Sequence, residues 1–96
     1  MNKNEILSIL GNYKKEYAEK YGIIEMGVFG SIARDEARED SDLDIYIKTV
    51  TPDPFILVHI KEDIEKLARQ RVDIVRIREK MNPFLRDRIE KEGVYA

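Results

Sequence analysis

The feature that most constrains the fold is a short apolar run that stops at a glycine and a serine. The run Ile23–Phe29 has the length and composition of a buried strand, and Gly30 and Ser31 follow it directly. The next stretch, 31–39, is rich in Ala, Arg and Glu and predicts a short helix. Because the first N–H groups of a helix have no partner within it, a strand, a tight turn and a helix start in this order can hold phosphate. We therefore expect a phosphate-binding turn at Gly30 and Ser31.

Apolar and polar residues alternate immediately after this segment. The alternation predicts a strand with one packed face and one polar face. Its packed set is Leu43, Ile45 and Ile47, and its polar set is Asp42, Asp44, Tyr46 and Lys48. Side chains two residues apart on a strand point to the same side, so Asp42 and Asp44 are placed to share divalent cations.

The remaining periodicities predict three longer helices and one more strand. A helix runs from Glu5 to Tyr21 and stops at Gly22; Asp53–Pro54 and Asn82–Pro83 start two others; and Val72–Ile77 is a β-branched strand. This order predicts an α/β (α+β) fold with a small mixed sheet of three or four strands, flanked by about four helices. At 96 residues the chain is expected to form a single domain over 1–96.

Asp73 lies near the start of the Val72–Ile77 strand and is the third candidate carboxylate. If this strand neighbours the strand of Asp42, Asp73 is able to bind metal and to help deprotonate an incoming hydroxyl. Arg34 lies one helical turn beyond Ser31, and the sequence leaves two roles open for it: contact with phosphate, or an ion pair with Asp42 or Glu39 that holds the loop.

Other sites are less consistent with the sequence. A calcium loop starting at Asp40 would need a glycine where Ile45 stands and a glutamate where Thr51 stands. A Walker-type loop would need a Gly-Lys-Ser/Thr motif after Gly27 or Gly30. His59 is the only histidine and has no nearby ligand set, so we expect a surface residue there. A Gly-Ser turn alone is usually only a turn, and an Asp-x-Asp pair alone is usually a solvated face; it is their combination at this spacing that indicates a site.

Composition excludes several classes of protein. The chain has no Cys, which removes disulfides, thiolate metal sites and cysteine nucleophiles. Its 17 Lys and Arg balance 19 Asp and Glu, so strong binding to nucleic acid is not expected. No apolar run approaches a membrane span and the N-terminus does not resemble a signal peptide, so we expect a cytoplasmic protein that does not bind membranes.

These residues together resemble the minimal nucleotidyltransferases of the polymerase-beta-like superfamily. The resemblance runs from the strand before Gly30 through the VDIV strand, and the closing GVYA is similar to the usual tail. It implies catalytic and metal-binding roles for the three aspartates and nucleotide contacts for the other four residues. The set is Asp42, Asp44, Asp73, Gly30, Ser31, Arg34 and Ser41. Ile32 and Glu36 depart from the family pattern, so the short helix is expected to sit differently over the phosphate.

The resemblance also implies an activity and a partner. The activity is a transfer of AMP from ATP to a hydroxyl group, with two Mg²⁺ ions as cofactors and release of pyrophosphate. Chains this short resemble the MntA-type antitoxins of prokaryotic HEPN/MNT pairs, which modify a tyrosine of a HEPN-domain ribonuclease toxin and form a hetero-oligomer with it. Two alternatives stay open: a binding module that neutralises its partner without catalysis, and a transferase that acts alone on a small molecule or RNA.

Overall fold

The computed structural model describes residues 2–38 and 40–96. These residues form three helices and four strands, which confirms the predicted mixed α/β class. The elements are α1 (Lys3–Tyr21), β1 (Ile23–Phe29), β2 (Leu43–Thr49), α2 (Pro54–Ala68), β3 (Val72–Arg76), α3 (Pro83–Glu92) and β4 (Val94–Tyr95). Among them, no helix has both the length and the apolar content needed to cross a membrane.

Local capping signals fix the helix ends. The Asn2 side chain accepts a hydrogen bond from the Glu5 backbone N–H, and the Glu5 side chain accepts one from Asn2 N–H, so α1 begins with a capping box. It ends at Gly22, whose left-handed φ of 65° closes the helix. Asp53 and Asn82 cap α2 and α3, each followed by proline. The predicted helix starts at Asp53 and Asn82 and the predicted stop at Gly22 are therefore confirmed.

The four strands form one sheet in the order β3-β2-β1-β4. β1 pairs antiparallel with both β2 and β4, whereas β2 and β3 are parallel. A parallel pair needs a long crossover connection, and α2 supplies it. The two-residue strand β4 extends the sheet with the closing residues of the chain.

The sheet has two different faces. The first, which we call the α1/α2 face, is covered by α1 and α2 and contains the main apolar core. Its buried residues include Ile6, Leu10, Met26, Val28, Leu43, Ile45, Ile47, Ile60 and Ile64. The opposite face, the α3 face, carries a smaller buried cluster of Phe29, Tyr46, Met81 and Ile89 beneath α3.

The predicted short helix over 31–39 is wrong in the part that the structure describes. Residues 30–35 form consecutive turns instead, with hydrogen bonds from Arg34 N–H to Gly30 O and from Glu36 N–H to Ser31 O. Asp35 has a left-handed φ of 59°, which no α-helix continues through. So short a segment also gains too few hydrogen bonds to offset helix nucleation. Glu39, the expected last residue of that helix, lies outside the described residues.

The predicted polar face of β2 is wrong at Tyr46. This side chain is only 2% exposed because it packs in the buried cluster with Phe29, Met81 and Ile89 of α3. Alternation along a strand reports which side a residue faces, but not whether a later helix covers that side. Along β2 the α3 face is therefore buried at Tyr46, half-buried at Asp44 and exposed at Lys48.

Candidate active site

Strand β2 carries the first two acidic side chains. Asp42 is exposed and immediately precedes the strand, and Asp44 is half-buried inside it. The intervening Leu43 and the following Ile45 are buried on the α1/α2 face. Because side chains alternate along a strand, Asp42 and Asp44 lie on the α3 face, as the sequence predicts.

Strand β3 brings Asp73 to the same place. In the parallel β2–β3 ladder Asp44 is the register partner of Asp73. Register partners on adjacent strands point to the same side of the sheet, and the neighbours Val72 and Ile74 pack toward the α1/α2 core. The expectation that the strand of Asp73 lies beside that of Asp42 is therefore confirmed, and the three carboxylates share one face.

The charges in this corner act on Asp44. Burial raises the pKa of Asp44 above its ordinary value, and the neighbouring Asp73 carboxylate raises it further. Arg88 and Arg34 act in the opposite direction, and Asp42 adds to the increase. The positive groups do not cancel the burial and the like charges, so Asp44 is a carboxylate whose charged form gains from an added cation.

The chemistry of these side chains suits Mg²⁺, since this ion prefers hard carboxylate oxygens. Within 2–38 and 40–96, however, no three His, Cys, Asp or Glu side chains are gathered into a ready-made metal site. The residues fit the ion in type and in the face they share, while their side chains are not drawn together around one point.

Gly30 forms the wall of the site beside Asp44. It lies at the end of β1 with a left-handed φ of 73°, which glycine adopts at little cost. A Cβ at this position would overlap Asp44 Oδ2 and lie 3.1 Å from Asp44 Cγ. The missing side chain thus lets the turn backbone pass directly against the acid, and the half-buried Ser31 follows it in the same turn.

Arg34 links this turn to the end of α3. Its Nε donates to Glu36 Oε2 at 3.1 Å, and its Nη1 donates to both carboxylate oxygens of Glu92 at 3.0 Å. The hydrogen bond to Glu36 is the main cause of a raised pKa of Arg34, opposed by burial and supported by Glu92. Within the described residues Arg34 pairs with Glu36 and Glu92 and forms no ion pair with Asp42. Glu39 lies outside those residues, so both predicted roles of Arg34 stay predictions.

Ser41 shapes the approach to Asp42. Its Oγ accepts a hydrogen bond from Arg38 N–H at 3.1 Å, and its carbonyl oxygen accepts one from the Gln70 side chain at 3.4 Å. The hydroxyl oxygen is thus engaged within the loop in this structure. Contact between Ser41 and a nucleotide stays a prediction.

The site also includes two residues of α3 that were not predicted from the sequence. Glu92 contacts Gly30 and Arg34, and Arg88 lies close enough to lower the pKa of Asp44. Both are far from Gly30 along the chain, and an arginine and a glutamate four residues apart on a helix usually form only a surface pair. No sequence signal distinguishes them; the position of α3 over the sheet brings them in.

Acidic side chains beside a glycine turn and several arginines are the groups that phosphoryl transfer uses, because it depends on positioning and charge stabilisation. The model of the family described as "Nucleotidyltransferase domain" matches residues 10–96 of this chain. The resemblance noted from the sequence is confirmed by this match.

Individual relatives agree with the family match. The chain is 39% identical over 93 residues to the protein adenylyltransferase MntA of Thermococcus cleftensis, covering 96% of this chain and 93% of that protein. A solved structure provisionally described as a minimal nucleotidyltransferase is 32% identical, with a TM-score of 0.73 over 98% of this chain and 95% of that one. One chain of a solved complex between the tri-AMPylated Shewanella oneidensis HEPN toxin and an MNT antitoxin has a TM-score of 0.68 to this chain. The two chains are 16% identical, and the match covers 99% of this chain and 71% of the other, which shows a similar fold.

Proposed function

This chain belongs to the nucleotidyltransferase domain family, and we propose that it transfers AMP from ATP to a hydroxyl group of a protein partner. The observation that carries the proposal is the register pair of Asp44 and Asp73 beside the Gly30 turn, with Asp42 two residues before Asp44. We further propose that residues 1–96 act as one minimal nucleotidyltransferase domain.

The reaction forms one bond and breaks another. The oxygen of the acceptor hydroxyl bonds to the α-phosphorus of ATP, and the bond from that phosphorus to the bridging oxygen of the β-phosphate breaks. Pyrophosphate leaves with the bond's electron pair, and the hydroxyl proton passes to the Asp73 carboxylate, the general base in this proposal. The acceptor then carries AMP as a phosphodiester.

Each residue has a distinct part in this proposal. Asp42, Asp44 and Asp73 would hold Mg²⁺, which, when bound, neutralises charge that develops on the phosphate oxygens. The Gly30 and Ser31 backbone orients the β- and γ-phosphates, and the exposed Arg34 guanidinium is near enough to the turn to add a positive charge there.

The partner in this proposal is a HEPN-domain toxin, and the acceptor is a tyrosine. Two findings support the choice of partner: the relative from Thermococcus cleftensis is named a protein adenylyltransferase, and a chain of similar fold occurs with an AMPylated HEPN toxin. The chain would then act as an antitoxin of the type VII kind, in the prokaryotic cytoplasm where ATP is available.

Intact mass spectrometry tests the proposal directly. Incubation of the chain with ATP, Mg²⁺ and the HEPN protein encoded beside it should add whole AMP units to the partner. Removal of the metal with EDTA should abolish the addition, because the acids alone leave the phosphate charge uncompensated. A partner mass that stays unchanged with Mg²⁺ or Mn²⁺ present would contradict the proposal.

A second candidate, neutralisation by binding alone, is favoured by large apolar side chains on the surface. Phe55 on α2 is 85% exposed and Phe84 on α3 is 83% exposed. Apolar surface of this kind is common where proteins bind one another. Under this function, a chain without Asp42 and Asp44 carboxylates still protects cells from the toxin; under the first it does not.

A further inference from the structure

A carboxylate from the end of α3 occupies the donors next to the Gly30 turn. Gly30 N–H donates to Glu92 Oε2 at 3.3 Å, and Arg34 Nη1 donates to Glu92 Oε1 and Oε2 at 3.0 Å each. Arg88 Nε lies 3.9 Å from the same Oε2. A backbone N–H at a glycine turn and a guanidinium group are the donors that proteins use for phosphate oxygens. The Glu92 carboxylate therefore accepts hydrogen bonds from groups that are suited to a phosphate oxygen.

We propose that Glu92 is a built-in competitor of the polyphosphate chain of the nucleotide. In the nucleotide-free protein its carboxylate takes the Gly30 N–H and the Arg34 guanidinium. In the nucleotide complex a phosphate oxygen takes these donors and the Glu92 side chain moves away. This inference rests on the proposed function, since it assigns the same turn to phosphate.

The position of Glu92 on its helix favours its release. Glu92 is the last residue of α3, where the helix dipole is negative and a carboxylate is disfavoured. Hydrogen bonds from Arg34 and Gly30 N–H offset this repulsion. A phosphate that accepts those hydrogen bonds instead would leave the Glu92 carboxylate without its stabilising partners. Its side chain is 24% exposed, which gives it a path to solvent, and Arg88 one turn earlier on α3 is an alternative partner.

The competition sets the affinity for nucleotide. If Glu92 occupies the donors in about nine of ten molecules, the apparent Kd for a ligand of that site is about tenfold higher than without the competitor. A merely structural pair predicts the reverse, because an Arg34 side chain that loses its anchor is less well placed to meet phosphate.

The variant Glu92→Gln distinguishes competition with phosphate from a merely structural ion pair. Gln has nearly the same shape but no charge, so it is a weaker competitor for Arg34. Isothermal titration of inorganic tripolyphosphate, and of ATP with Mg²⁺, should show binding about three- to tenfold tighter than in the wild type. Glu90→Gln is the matched control, since it removes the same charge from an exposed position of α3 that pairs with Arg86, and it should leave the Kd unchanged. Equal or weaker binding by Glu92→Gln overturns the inference, as does an equal gain in Glu90→Gln.

A structure of the wild type with a bound ATP analogue tests the same inference without a variant, in case Glu92→Gln folds poorly. The Glu92 carboxylate should have left Gly30 N–H and Arg34, with a phosphate oxygen in its place. A Glu92–Gly30 hydrogen bond that persists at its present 3.3 Å overturns the inference even though the nucleotide is bound. Failure of the proposed function is distinguishable, because it appears as a partner protein that gains no AMP, whereas the inference about Glu92 is tested by the binding of tripolyphosphate and ATP.

Discussion

The two faces of the sheet are built from the same strands and serve different purposes. On β2, Ile45 is fully buried under α1 and α2, while its neighbour Asp44 is half-buried at the edge of α3. The α1/α2 face is apolar throughout its core, whereas the α3 face combines a small apolar cluster with a corner of like charges. Because side chains alternate along a strand, one residue can stabilise the core while the next contributes to the candidate site. Substitutions on the two faces should therefore have opposite profiles.

The largest effect is expected on catalysis, from the double change Asp42→Asn and Asp44→Asn. AMP transfer should fall about a thousandfold or more, because several kcal/mol of charge stabilisation are lost with the metal ligands. Circular dichroism should show an unchanged fold, since neither side chain belongs to the core. The control is Asp87→Asn, an exposed acid paired with Lys91 on α3, which should transfer AMP normally. A rate of AMP transfer within tenfold of the wild type would contradict the assignment of catalysis to the α3 face.

On the α1/α2 face the largest effect should be on stability. Ile45→Ala leaves a cavity in the core and should lower the free energy of unfolding by about 2–5 kcal/mol, measured by urea denaturation. The control Val50→Ala, at a residue that is 69% exposed, should lower the free energy of unfolding by less than about 0.5 kcal/mol. A loss of under about 1 kcal/mol at Ile45 would show that the α1/α2 face is not where stability resides.

Gly30→Ala should lower both stability and AMP transfer, because this residue has a left-handed backbone and lies directly against Asp44. A left-handed φ and the overlap with Asp44 should cost about 1–3 kcal/mol of stability and displace the Asp44 carboxylate, so AMP transfer falls as well. Gly11→Ala is the control: apart from the adjoining residues and the backbone of α1 itself, no atom lies within 4 Å of a Cβ there, and alanine in the α1 interior should stabilise by about 0.5–1 kcal/mol. Thermal melting and transfer rates for both variants measure the contrast. Normal transfer by Gly30→Ala would mean that the turn does not need this close approach.

The smallest effect should be a gain in stability from Asp44→Asn alone. The folded-state pKa of Asp44 is raised, so ionisation of this group opposes folding above that pKa and has no effect below the ordinary value of 3.8. At neutral pH the variant should melt a few °C higher than the wild type while it loses AMP transfer. The difference in Tm should shrink as pH falls toward 3.8. A lower Tm for Asp44→Asn at pH 7 would contradict the account in which burial and the neighbouring acids disfavour the charged form of Asp44.

Much of the α1/α2 face could be predicted from the sequence, because its signals are local. Capping at Asp53, the stop at Gly22 and the alternation around Ile45 each depend on a few adjacent residues. The α3 face depends on packing between segments far apart in the chain. The burial of Tyr46 was therefore not predictable from the sequence.

The candidate site shows the same division. The acids at 42 and 44 follow from spacing, and Asp73 follows from the order of elements together with strand adjacency. The contacts of Glu92 and Arg88 depend on where α3 ends over the sheet, which no local pattern encodes. The consecutive turns at 30–35 replace the expected helix because Asp35 adopts a left-handed conformation that composition does not report.

Paramagnetic broadening by Mn²⁺ tests most directly whether the open end of the α3 face is the catalytic one. In ¹H–¹⁵N spectra recorded with a non-hydrolysable ATP analogue, low amounts of Mn²⁺ should broaden the amides of Gly30, Asp42, Asp44 and Asp73 first. Amides of the α1/α2 face, such as those of Leu10 and Ile60, should stay sharp. Broadening centred elsewhere, for instance at the acidic residues of α2, or no broadening at saturating nucleotide, would contradict the assignment of the site to this face.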